Sequence, residues 1–257
     1  MRGRALLLAL GLNAVPALGW FVGEWSAGTT LLLYWLETLV GTLLVAIRIV
    51  VHRRVRPSKG HWDYKAPQGK EGQSNDRSTY LSAFLVPALA FTVAHGVFLG
   101  ALGLIMISKH HSPEARIDVH SLLAGLTAIA FFQVADFGFD LVWLRTQPFA
   151  WIERLGNLSL SRVLVIHLTI VGGMMAMMFT GANRNFFAVF IFLKTMLNFS
   201  LAVPQYQPKT PPRWLSSVMD RVPGKKGKDA NFAAFWKRTD DEEAARVTRN
   251  EEPATKS

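Results

Sequence analysis

The chain has 257 residues, half of them hydrophobic, a net charge of +10 and no cysteine. The missing thiols exclude a disulfide framework, a thiolate nucleophile and cysteine-bound zinc or iron–sulfur chemistry. The apolar residues gather in long unbroken runs instead of alternating at helical period, which excludes an ordinary soluble core.

A spanning helix needs about 20 consecutive apolar residues. Six segments reach that scale: 5–22, 29–51, 80–107, 120–144, 161–180 and 185–203. They predict an all-α fold, an integral membrane six-helix bundle over residues 1–203, followed by a basic, mostly disordered cytoplasmic tail, 204–257. Of the 28 Lys and Arg residues, 23 fall on the side of the N terminus and three on the other. By the positive-inside rule both termini are then cytoplasmic. The basic face suits anionic lipid headgroups. A nucleic-acid partner is excluded because the basic residues flank spans and no recognition motif accompanies them. A membrane-protein partner or a homo-oligomer stays open.

In chain order, the first span carries Asn13. It also has the charged start, apolar run and "AVPA" of a cleaved signal peptide, but apolar residues continue through Trp20, Phe21 and Val22. The second span contains "LLLYWLETLVG", in which Tyr34, Glu37, Thr38 and Gly41 share a helical face. The basic loop that follows, rich in Gly, Pro and Ser, reads as flexible. On the third span Thr92, His95, Gly96, Gly100 and Gly103 form a polar and small stripe. The outer loop groups His110, His111 and His120 with Glu114 and Asp118, a second candidate metal site. On the fourth span Gln133, Asp136 and Asp140 line one stripe. Segment 147–160 places Phe149, Ile152 and Leu155 on one face, as in a helix lying in the inner membrane interface. The fifth span carries Arg162, His167 and the run Met174–Met178, whose adjacent thioethers point to different faces and suit apolar packing better than copper. The sixth carries Lys194 and Asn198. In the tail, Phe232, Phe235 and Trp236 suit contact with a membrane surface.

At 1.5 Å rise per residue, Glu37 and His95 both lie roughly 20 Å above the cytoplasmic end, Asp136, Lys194 and Asn13 roughly 12–14 Å, and Asp140 and His167 roughly 7–9 Å. Charges inside a bilayer are kept when they are paired or functional. The depths predict three pairs: Glu37 with His95, Asp136 with Lys194, and Asp140 with His167, joined by Arg162 or Arg48. Each pair alone is explained by helix packing. Together they form a ladder of polar groups suited to a proton or cation. Glu37, His95 and His167 are also good transition-metal ligands, but a depth difference of roughly 10 Å between the two histidines counts against a shared metal and against a bis-histidine haem. No nucleotide loop, nucleophile elbow or HExxH is present, so no enzyme class is supported. The open readings are proton or cation handling, a structural or assembly subunit of a larger membrane complex, and a metal-dependent membrane enzyme.

"NAVP", "LLLYWLETLVG", "AHGVF", "SRVLVIHLTIVGG" and "FLKT" occur in order between residues 10 and 200. With them the chain resembles a bacterial multi-pass membrane-protein family of unknown function. The resemblance implies a bacterial plasma-membrane location and singles out Tyr34, Trp35, Glu37, His95, Gly96, Arg162, His167 and Lys194. It supplies no activity. Thr38 replaces the family's Asn, Pro87 stands where the family has a further histidine, and Asp136 falls near another. These departures count against a multi-histidine metal site.

Overall fold

The structure is a computed structural model, and it describes residues 2–67, 78–110, 116–163, 210–221 and 231–254, with isolated positions between 192 and 208. The described residues are helical, without strands. The order is α1 (Arg2–Phe21), α2 (Ala27–Val55), a 3-10 turn (Lys59–His61), α3 (Tyr80–His110), α4 (Val119–Trp143), a second 3-10 turn (Leu144–Thr146), α5 (149–163), α6 (Arg213–Met219) and α7 (Phe232–Glu251). Three helical stretches, Ala27–Val55, Tyr80–Ala101 and Val119–Thr146, are long and apolar enough to cross a membrane, and Leu10–Phe21 is a shorter apolar helix. Spans five and six lie almost wholly outside the described residues.

α2 is the hub, packing against α1, α3 and α4. Side-chain polarity decides which faces turn inward. On α3, Val86, Val93, Val97 and Leu104 are all at least 61% exposed, an apolar stripe of the kind that faces lipid. The opposite face of α3 buries Thr92 and His95. Close approach needs missing side chains. A Cβ on Gly96 would meet the Trp35 indole at 3.0 Å, and one on Gly125 would meet Trp25 at 2.7 Å and Leu33 at 2.9 Å. The Trp35 indole nitrogen donates to the Thr92 carbonyl at 2.8 Å, tying α2 to α3 at the same level.

The connections sort into two ends. At one, Ser26 caps α2 and its hydroxyl donates to the Arg116 carbonyl, while the Asp118 amide donates to Thr29 Oγ1 at 2.9 Å. At the other, residues 58–65, the start of α5 and the end of α7 pack together. Val45, Ile49, Tyr64, Tyr80, Phe84, Ala88, Leu144, Phe149 and Ile152 form one buried cluster there, and each large side chain contributes roughly 1.5–3 kcal/mol by leaving water.

Three expectations change at this second end. The loop after α2 is ordered over 56–66, with Ser58, Gly60, His61 and Tyr64 buried. The apolar face of segment 147–160 turns into protein rather than into the membrane interface, since Phe149 is 1% and Ile152 0% exposed. Residues 232–251 of the tail form a helix instead of disordered chain. Asn231 caps its start by accepting from the Ala234 amide. Its last turns place Arg246 and Asn250, one helical turn apart, against this end of the molecule. Charge content suggested disorder because those ionic groups find their partners far away in sequence, at Asp63, Lys65 and Glu153.

Candidate functional site

α2 and α4 meet along a seam whose facing residues are polar. At its upper end Gln133 donates from Nε2 to the Glu37 carbonyl at 3.0 Å, and its amide lies beside Gly41. The Gln133 Oε1 and Thr42 Oγ1 atoms are buried there without a hydrogen bond. One to two turns further down, Arg48 reaches across. Its Nε donates to Asp140 Oδ2 at 2.9 Å and its Nη2 to Asp136 Oδ2 at 3.2 Å. The Arg48 and Asp140 side chains are 5% and 7% exposed, whereas Asp136 keeps 33%. The guanidinium also lies 5.1 Å from the centre of the Phe137 ring, a favourable cation–π placement. One turn below Arg48, His52 is fully buried. It contacts the Gln147 carbonyl at 3.0 Å through Nε2 and His61 Nε2 at 2.9 Å through Nδ1.

The sequence-predicted residues divide accordingly. Gln133, Asp136 and Asp140 line the seam. Glu37 sits at its top and is within electrostatic reach of Tyr34 and Arg162, and Arg162 also reaches Asp136. His95 is buried in a small cavity lined by Tyr34, Trp35, Thr38, Thr92 and Val163, on the α3 side of α2. Asn13 is buried on α1. His167, Lys194 and Asn198 lie outside the described residues, as do the pairings drawn to the first two. The cation held between Asp136 and Asp140 is Arg48, the alternative considered for Asp140 alone. His52 and His61 were the omissions. Arg48 and His52 are four apart on α2 and repeat the spacing of Asp136 and Asp140 on α4, a register match the sequence carries but does not announce. His61 lay in a loop read as flexible.

No group of three or more His, Asp or Glu side chains able to hold a metal exists among the described residues. In the outer loop, Asp118 caps α4, accepting from the His120 and Ser121 amides and from the Ser121 hydroxyl. Those bonds, led by the Ser121 hydroxyl, hold its carboxyl below the usual range. Its oxygens are thus engaged in capping, and His111 and Glu114 lie outside the described residues.

Below the seam the cluster of Tyr64, Tyr80, Phe149 and Ile152 is closed by ionic contacts. Glu153 Oε1 accepts from the Tyr64 hydroxyl and from Arg246 Nη1, both at 2.7 Å. Burial, then the Glu153 carboxylate, pushes the Tyr64 hydroxyl well up. Burial alone would lower Arg246, but its bonds to Glu243 and Glu153 outweigh that and raise it. Around this centre Arg249 pairs with Asp63 at 2.9 Å, Arg56 with Glu251 at 2.9 Å and Lys59 with Glu252 at 3.2 Å.

Comparison with curated proteins and with solved structures finds no match. A family-wide sequence model does match, over residues 1–213, which takes in every described helix up to α5 and stops before α7. The chain belongs to that family, described as a family of unknown function (DUF6498).

Proposed function

We propose that this is a six-span protein of the bacterial plasma membrane, with both termini cytoplasmic, in which the α2–α4 seam handles a proton or small cation. Three apolar helices of spanning length support the membrane location. The sorting of loops supports the topology. Residues 58–65, the start of α5 and α7 share one end, and the turn at Ser26 and the start of α4 share the other. An even number of crossings between α5 and α7 fits that arrangement.

The observation that carries the functional reading is the sharing of Arg48. Two carboxylates one turn apart on α4 bind one guanidinium through different nitrogens. Asp140 is sealed and Asp136 is one-third open. A carboxylate that shares a guanidinium with a buried neighbour and keeps a third of its own surface open is a place where a proton or small cation can exchange. Purified protein in vesicles containing a pH-sensitive dye tests this. Proton entry under an imposed gradient should be present in the unmodified protein and absent in Asp136→Asn.

The second reading is a structural or assembly subunit. The near-complete burial of the Arg48–Asp140 bond favours it, since buried pairs of this kind fix register between helices. On that reading Asp136→Asn changes thermal stability only. Exposed Arg54 and Arg145 at the cytoplasmic end suit anionic headgroups on either reading.

A further inference from the structure

The seam ends in a histidine pair with a defined proton order. The Gln147 carbonyl can only accept, so His52 Nε2 carries the proton and donates to it at 3.0 Å. His52 Nδ1 is then a lone pair and accepts from His61 Nε2 at 2.9 Å. His61 Nδ1 is left unprotonated, and it is buried without a hydrogen bond. His61 itself is 1% exposed. A proton added to His61 Nδ1, with the Nε2 proton passed to His52 Nδ1, leaves His61 neutral and the positive charge on His52. That charge then stands one helical turn from Arg48 and its two carboxylates.

α7 packs over the turn that carries His61, while Phe149 of α5 lies edge-on against the His61 ring, 5.0 Å between centres. Asn250 and Phe149 close over Gly60, where an added Cβ would come within 3.1 Å of Asn250 Cβ. The Lys59 amide donates to the Glu252 carbonyl at 2.7 Å, and Ser58 pairs with Pro253 as an isolated antiparallel bridge. Ser58 is 2% exposed beneath it. Most of the ionic contacts that hold α7 down are themselves half-exposed: Arg249–Asp63 at 37% and 42%, Lys59–Glu252 at 39% and 52%, and Arg56–Glu251 at 40% and 28%. Contacts of that exposure are individually weak and screened by salt. Only Arg246–Glu153 is buried. The covering helix also lies beyond the family match, which ends at residue 213.

We propose that α7 is a releasable lid and that His61 Nδ1 is the atom at which the seam exchanges protons with the cytoplasm once the lid lifts. The proton step rests on the functional reading above, whereas the lid does not. With the lid down, burial, then the neighbouring His52 and Arg53, pushes His61 down to about 3, so it stays neutral at physiological pH. The other charged groups around it are Arg56 on α2, Lys59 in its own turn, and Glu251 and Glu252 on α7. Those two glutamates are engaged by the Arg56 and Lys59 side chains. Lifting the lid returns water to the imidazole and its proton affinity toward the ordinary histidine value near 6.5.

The chain has no cysteine, so Ser58→Cys reports the seal directly. In vesicles with the cytoplasmic face outward, an impermeant maleimide should label it slowly. Adding Arg249→Glu and Glu252→Lys sets like charges against Asp63 and Lys59 while leaving the buried Arg246–Glu153 pair intact. Labelling should then rise at least tenfold. Raising the ionic strength on Ser58→Cys alone should raise it as well. A rise in either supports the lid, and unchanged labelling in both overturns it. In reconstituted vesicles the lid-released protein should also take up protons faster, and His61→Gln should remove that gain. A gain that survives His61→Gln overturns the exchange site while the functional reading stands. If neither the unmodified nor the lid-released protein moves protons, the functional reading and the exchange site fall together, and the labelling still decides the lid.

Discussion

From α2, Arg48 holds Asp136 and Asp140 of α4 in place with one guanidinium. Replacing it with alanine takes the guanidinium away from Asp140, whose side chain is 7% exposed, and breaking a buried pair from one side costs about 3–5 kcal/mol. Arg48→Ala should therefore lower the unfolding midpoint in detergent sharply, while Asp136→Asn, at a position one-third open, should lower it little. Thermal unfolding of both variants checks the ordering. His61 makes a separate prediction through pH. Its folded-state value lies near 3, below the ordinary value near 6.5, so the unfolded chain binds more protons between those two values. Stability contributed by neutral His61 is full above about pH 6.5 and is lost progressively as pH falls toward 3. Unfolding scans across that window should show a slope that His61→Gln removes. The sequence displayed Asp136, Asp140 and Gln133 as one stripe because i, i+3, i+7 spacing fixes a face whatever the neighbours are. It could not show which cation would meet that stripe, because Arg48, Arg162 and Lys194 all lay within plausible depth and helix order does not set helix adjacency.

At the scale of elements, two devices set the packing. Glycine permits close approach where α4 meets the turn after α1 and where α3 meets α2. A methyl at Gly125 would press on the rigid Trp25 ring and on Leu33, and overpacking of this kind costs about 1–3 kcal/mol. Gly125→Ala should lower the melting temperature, whereas Gly100→Ala should not, since nothing lies near its Cβ position. The second device is the ionic docking of α7. Arg246→Ala leaves Glu153 buried at 4% exposure with the Tyr64 hydroxyl as its remaining side-chain hydrogen-bond partner among the described residues. Amide hydrogen exchange over 232–251 should then speed up while α2 and α4 stay protected. Composition made this helix illegible. The twelve residues Asp240–Glu251 are dominated by charge, the usual mark of a solvated tail, and the three acidic or carbonyl groups that bind them sit more than 90 positions away. Apolar run length, by contrast, made α2, α3 and α4 readable almost to their ends.

Across the whole molecule the polar seam runs from Glu37, deep in the apolar region, through Arg48 to the His52–His61 pair under α7. Its acidic stripe on α4 was legible because charges within apolar runs are rare enough to stand out, whereas His95 lies on the α3 side of α2 and His167 lies outside the described residues. Its lower part was not legible, because His61 reaches the seam only through a turn that folds against α5 and α7. Orientation is open to the same cysteine chemistry as the lid. A single cysteine at Ser26 should label from outside the cell and one at Thr146 only from the cytoplasmic side, and the reverse pattern would contradict the topology. The central claim is that the seam moves a proton or cation, and dye-reported proton entry into vesicles holding the unmodified protein or Asp136→Asn tests it most directly. Entry in the first and its loss in the second, with both proteins equally folded, is the predicted result. Equal entry in both, or none in either, would contradict it.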